Sequence, residues 1–258
     1  MIPARIDILC CALPDIEAGL LAHYENLLSE DELRRLRSFR SPSGAKEFLV
    51  GRALLRTALA ERINCNPHDL QFSKNADGKP TLASPQSRWQ FNLTHSHDWV
   101  ALALCEGSTI GIDIESYKRR NNLSGIAKRF FSDAENAQLN RCDESEWLDL
   151  FFAVWTLKEA HAKALGCGLP KILNCSSVDV DLVNATIDFS LSEAAVTPHC
   201  ISSWLFKFGI EVAADNCALA LVAHGDRFET PRLQRCIPLL SIADFAVVEL
   251  ARGQQQGR

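Results

Sequence analysis

Residues 109–116, T-I-G-I-D-I-E-S, constrain the fold more tightly than any other stretch of the chain. Three isoleucines alternate with Gly111, Asp113 and Glu115, so in a strand the isoleucines pack one way while the glycine and both carboxylates project the other. The glycine leaves room on the side to which the carboxylates point. A strand with one solvated face would explain the alternation by itself. A second motif argues against that simpler account.

The run D-E-S-E-W-L-D-L-F-F-A-V-W-T-L-K-E-A-H-A-K-A-L-G predicts a long helix over about residues 145–166, stopped by Gly166 and Gly168. It sets Trp155, Glu159 and Lys163 at i, i+4 and i+8 on one stripe, with Lys158 beside them. An exposed Glu159–Lys163 pair would be worth only a few tenths of a kcal/mol. But Phe151, Phe152, Val154 and Trp155 mark much of this helix as buried, and charges there need partners. Asp113, Glu115 and Glu159 form a hard-oxygen set of the kind that suits Mg²⁺, and lysines alongside would neutralise phosphate oxygens. The combination predicts a phosphoryl-handling site.

Two further pieces ask for the same ligand. G-K-P at 78–80 offers Lys79 on a tight turn, and F-N-L-T-H-S at 91–96 ends a strand with Thr94, His95 and Ser96. His97 reads as solvated.

Around these motifs, S-E-D-E at 29–32 and S-D-A-E at 132–135 are capping boxes that open helices, and a further helix is predicted over about 44–62. Residues 88–94, 99–105 and 109–115 read as strands of an antiparallel meander. The repeated A-L-A-L of residues 99–107 and 216–226 hints at an internal duplication, with a seam near 111–116. With 258 residues, 47% of them hydrophobic, there is material for one large domain or two of about 100–150 residues. A formal charge of −5 gives no general attraction to nucleic acid or anionic membrane, so an anionic ligand must be met locally. The ten cysteines are scattered without a C-x-x-C pair, which predicts reduced thiols. No apolar span is long enough for a membrane, and a soluble, cytoplasmic protein is expected.

In this order and spacing, G-K-P, F-N-L-T-H-S, G-I-D-I-E, F-F-S-D-A-E and W-T-L-K-E-A-H-A-K-A-L-G-C-G-L resemble the surfactin-type 4'-phosphopantetheinyl transferases over roughly residues 29–170. The resemblance implies a coenzyme A substrate, Mg²⁺, and transfer of phosphopantetheine to a serine of an apo acyl or peptidyl carrier protein with release of 3',5'-ADP. It implies Asp113, Glu115 and Glu159 as metal ligands, with Glu159, directly or through water, taking the serine proton. Lys163 would lie against the phosphates and assist the leaving group, with Lys158 a nearby basic residue. Gly78, Lys79 and Pro80 would run along the adenine, and Thr94 and His95 would hold phosphates, Thr94 standing where the family usually has serine. Lys46 and Arg52 are assigned to the 3'-phosphate, in competition with Arg35 and Arg40.

The expected fold is α+β: two similar α/β subdomains related by a pseudo-twofold, each a long helix packed on a small, mainly antiparallel sheet. Residues 1–112 are expected on the coenzyme side and 113–252 on the metal side, with a disordered tail at 253–258. A monomer would suffice, since two halves of one chain could build the site. Lys118, Arg119, Arg120, Lys128 and Arg129 are expected to border the carrier-docking surface. The rival readings are a non-catalytic coenzyme A or nucleotide-binding protein and a metal-dependent phosphatase or nuclease.

Overall fold

The computed structural model describes residues 3–118, 122–173, 176–191, 200–210, 215–225, 227–245 and 247–255. Arg119, Arg120, Cys175 and residues 256–258 lie outside the described residues. The chain opens with β1 (Ile6–Ala12), buried along its whole length. It continues through α1 (Ala18–Glu25), α2 (Glu30–Arg37) and the 22-residue α3 (Pro42–Ile63). A two-stranded ribbon, β2 (Gln71–Lys74) and β3 (Pro80–Ser84), precedes the antiparallel pair β4 (Trp89–Ser96) and β5 (Trp99–Glu106). Then follow β6 (Thr109–Ser116), α4 (Leu123–Phe130), α5 (Asp133–Arg141) and a second 22-residue helix, α6 (Glu144–Leu165). The rest is β7 (Ser176–Asp181), β8 (Thr186–Leu191), β9 (Ile201–Ile210), β10 (Asp215–His224), β11 (Arg232–Ile237), β12 (Ser241–Asp244) and β13 (Val248–Gln255).

Local sequence sets the helix ends. Ser29 and Ser132 each accept a hydrogen bond from the N–H three residues on, while Glu32 and Glu135 reach back to the cap N–H, so both capping boxes close. Ser41 caps α3 with Pro42 in its first turn, and α6 stops where Gly166 turns left-handed at φ 71°.

Two sheets form, one ordered β12-β11-β1-β5-β4 and the other β6-β10-β9-β13-β8-β7. They share a motif: β1-β5-β4 and β6-β10-β9 are both antiparallel throughout, and in each a long helix intervenes between the first strand and the pair. Leu9, Cys11, Leu102 and Leu104 pack under α3, and Ala218, Ala220 and Val222 pack under α6. Ile6, Ile8 and Cys10 meet Ile112, Ile114, Leu219 and Leu221 between the sheets. The layers therefore run helix, sheet, sheet, helix, and the α+β fold of two pseudo-symmetric halves is as expected.

Some expectations need correction. The meander breaks after β5: β6 pairs with β10, with its isoleucines between the sheets and its acidic face under α6. The expected division at 112/113 therefore falls inside β6. The first half is also not contiguous, since β11 and β12 return to β1. Residues 253–255 belong to β13 and pair with β9. The two A-L-A-L runs do lie in equivalent strands, but out of phase: in β5 the leucines face the long helix, in β10 the alanines do. A one-residue shift in a strand exchanges its faces, so the duplication resides in topology and not in those four letters.

Candidate active site

The register of β6 against α6 builds the site. Gly111 lies so close to the helix that a Cβ there would stand 2.0 Å from the Ala160 carbonyl oxygen. The space at this glycine is thus filled by helix backbone, not left open beside the carboxylates, and the close approach brings the neighbouring side chains into contact. The Lys163 ammonium donates to Asp113 Oδ1 at 2.6 Å, and the Trp155 indole N–H donates to Glu115 Oε1 at 3.1 Å. Between them on the stripe, burial pushes the Glu159 carboxyl above its ordinary value; Asp113 and Glu115 add to the rise and Lys163 opposes it.

β4 supplies the other wall. Asn92, Thr94 and Ser96 share one face of that strand and meet the free edge of β6. Asn92 Oδ1 accepts from the Ile112 N–H at 2.9 Å, and Ser96 Oγ accepts from the Ser116 N–H at 3.2 Å. Thr94 donates to Asp113 Oδ1 at 3.1 Å, Ser96 donates to Glu115 Oε2 at 2.9 Å, and Lys163 also donates to Thr94 Oγ1 at 3.1 Å. Sequence reasoning named Thr94 and Ser96 for an anionic ligand but gave no role to Asn92. The signal was there in the polar 92-94-96 series alternating with Phe91 and Leu93.

The donor set fits a hard divalent cation. Asp113 Oδ2 is a buried acceptor with no hydrogen-bond partner among the described residues, and Glu159 lies in the field of both other carboxylates. Among the described residues no three acidic, histidine or cysteine side chains already form a closed coordination cluster. The carboxylates are neighbours, with Lys163 touching Asp113.

The remaining expected residues are more scattered. Lys158 is corrected: its ammonium is fully buried, donates to both Glu135 carboxylate oxygens at 2.9 Å and to the Ser176 carbonyl at 3.3 Å, and is not free to meet a ligand. His95 points away from Thr94, as alternation requires, and its Nδ1 lies 2.9 Å from Glu47 Oε1 on α3. Lys46 donates to the Ile16 carbonyl at 3.4 Å. Arg52 pairs with Glu32, stands 4.7 Å over the Phe72 ring, and lines a cleft of about 600 Å³ with Arg35, Phe48, Phe72, Lys74 and Pro80. Lys79, next to Pro80, sends its ammonium to the carbonyls of Ile110 and Ala164, at the start of β6 and the end of α6.

Comparison with known proteins defines the class. A family model described as "4'-phosphopantetheinyl transferase superfamily" matches residues 109–221, and one described as "4'-phosphopantetheinyl transferase, N-terminal" matches residues 18–107. A phosphopantetheinyl transferase of Thraustochytrium sp. is 30% identical over 232 residues, covering 82% of this chain and 76% of that protein. The 4'-phosphopantetheinyl transferase Sfp of Bacillus subtilis is 33% identical over 156 residues, 60% of this chain and 67% of that one. The chain belongs to the 4'-phosphopantetheinyl transferase family. It spans 63% and 62% of the length of relatives from Synechocystis sp. and Nostoc sp., each 35% identical.

Proposed function

We propose that this chain is a Mg²⁺-dependent 4'-phosphopantetheinyl transferase, moving the phosphopantetheine arm of coenzyme A to a serine of an apo acyl or peptidyl carrier protein and releasing 3',5'-ADP. The observation that carries this reading is the meeting of Asp113 and Glu115 on β6 with Trp155, Glu159 and Lys163 on α6. Asp113, Glu115 and Glu159 would hold Mg²⁺, which when bound would neutralise the pyrophosphate oxygens of the coenzyme.

The chain's own groups account for the rest. The serine oxygen forms a bond to the β-phosphorus as the bond to the ADP oxygen breaks. Glu159, on the α6 stripe between Trp155 and Lys163, is suited to receive the serine proton directly or through water. Lys163 offers a positive charge, and a proton, to the departing phosphate. Thr94 and Ser96 fix the two β6 carboxylates, so the site needs little rearrangement. Arg35 and Arg52, in the cleft that Pro80 borders, are our candidate cations for the nucleotide phosphate.

Lys128 and Arg129 at the end of α4, with Lys118 just beyond β6, are our candidates for the border of the carrier surface. Among the described residues every cysteine is free, which suits a reducing compartment such as the cytoplasm, and no helix is long and apolar enough to cross a membrane. Both halves of the site come from one chain, which supports a monomer. The test incubates the protein with coenzyme A, Mg²⁺ and a panel of apo carrier domains, read by intact mass. A phosphopantetheine increment on the carrier serine is expected, and its absence across the panel would overturn the assignment.

A further inference from the structure

The turn at residues 75–79 reaches from one half of the molecule into the other. Asn75 shapes it: its Oδ1 accepts from the N–H groups of Asp77 and Lys79 at 3.1 and 2.8 Å, and its backbone pairs with Gly78 and Lys79. Gly78 completes the turn at φ 91°, a conformation open to glycine. Three side chains then cross the seam. Asn75 Nδ2 donates to the Gly166 carbonyl at 2.9 Å, Lys79 Nζ donates to the carbonyls of Ala164 at 3.3 Å and Ile110 at 3.0 Å, and Asp77 pairs with Lys171.

These contacts fall where the second half has unmet needs. The last carbonyls of a helix have no intrahelical donor, and they form the negative end of its dipole. Ala164 and Gly166 are at that end of α6, and the Ile110 carbonyl is on the same free edge of β6 whose N–H groups Asn92 and Ser96 accept. Lys79 therefore ties the end of the helix carrying Glu159 and Lys163 to the start of the strand carrying Asp113 and Glu115. Burial draws its ammonium down to about 8, consistent with a cation enclosed in the fold.

We propose that Asn75 and Lys79 are positioning residues: their side chains clamp the C-terminus of α6 to the edge of β6 and hold Glu159 and Lys163 in register with Asp113. This assigns the Lys79 ammonium to the helix end, leaving Pro80 at the cleft for the coenzyme. The proposal rests on the transferase reading for its kinetic consequence but not for its structural one, and the experiment keeps the two apart.

Asn75→Ala, Lys79→Met and Lys79→Arg are compared with the natural chain by steady-state transfer from coenzyme A and by hydrogen exchange of the amides of residues 163–168. Asn75→Ala and Lys79→Met are expected to lower kcat by about tenfold or more with KM for coenzyme A held within about twofold, the signature of misplaced catalytic groups. Exchange at Gly166 and Cys167, whose N–H groups close the last turn, should accelerate by about tenfold as the helix end opens. Lys79→Arg, which keeps the charge and the donors, should restore both. A KM rise of about tenfold at unchanged kcat would make Lys79 a coenzyme ligand and overturn the proposal. Unchanged exchange in Asn75→Ala and Lys79→Met would also overturn it, whether or not the chain transfers phosphopantetheine.

Discussion

Glu32 and Glu135 are each the third residue of a capping-box helix, and each turns its carboxylate onto a cation of the following long helix. Arg56 donates to Glu32 from the fifteenth position of α3, counted from Pro42, and Lys158 donates to Glu135 from the fifteenth position of α6, counted from Glu144. Both cations also bond carbonyls of the segment after their helix, at Pro67 and Leu70 in one half and Ser176 in the other. Lys158 is therefore the counterpart of Arg56, a staple between elements; the sequence shows it beside Glu159 but cannot show that it points the other way. Removing one partner of such a buried pair leaves a charge unpaired, so Glu135→Ala should cost about 3–5 kcal/mol by urea denaturation, whereas the double change Glu135→Leu with Lys158→Met should recover part of it, the Ser132 and Val178 N–H groups that Glu135 also satisfies staying unpaired. A double variant as unstable as the single one would refute this. The pair at Glu32 has a pH signature. Burial alone would raise its carboxyl, but Arg52, the Ser29 N–H and Arg56 together hold it below 4.5. A depressed acid contributes stability that is full above its unfolded pKa and lost as pH falls through the folded one, so the natural chain should lose stability on acidification below about 4.5 more steeply than Glu32→Gln. Parallel acid limbs for the two proteins would contradict the pairing.

Helices and strands were legible where they carried their own signal: the capping boxes, the left-handed Gly166, and the Ile-x-Ile-x-Ile alternation of β6 all describe local geometry, whereas α1, α4 and β11 to β13 had no such mark. Partner choice was not. Nothing in T-I-G-I-D-I-E-S states that its neighbour is β10 instead of β5, because alternation fixes the two faces of a strand and leaves its edges undetermined. The same limit hid Asn92, and hid the task it shares with Ser96 of satisfying an edge known only once the sheets are in place. Gly111 is the hinge of the arrangement. A methyl at that position would meet the backbone of α6, which cannot move aside as a side chain can. Gly111→Ala should therefore destabilise the protein by about 1–3 kcal/mol and reduce transfer further by separating Asp113 from Lys163. A melting temperature and kcat equal to those of the natural chain would show that strand and helix are less tightly apposed than described here.

The whole molecule is two copies of one plan, strand, long helix and antiparallel pair, packed sheet to sheet, and the halves differ in what lies between strand and helix. In the first half Leu9 and Cys11 fill the space under α3 with apolar atoms; in the second, Asp113 and Glu115 take the space under α6. Asp7 of β1 meets Arg62 of α3 at 2.8 Å, much as Asp113 meets Lys163, but it also accepts from Arg5, and β1 carries no second acid. Hence the acidic stripe under a long helix belongs to the second half alone. This asymmetry was visible in the sequence as G-I-D-I-E and W-T-L-K-E-A-H-A-K, while the plan they share was hidden by strands that match in topology but not in phase. The central claim is that Asp113, Glu115 and Glu159 act as one divalent-metal site. Its most direct measurement is the intact mass of an apo carrier after incubation with coenzyme A and the natural chain, Asp113→Ala or Glu159→Ala, each shown to be folded, with Mg²⁺ or with excess chelator. The phosphopantetheine increment is expected only for the natural chain with Mg²⁺. Undiminished transfer by either variant, or by the natural chain in chelator, would contradict it.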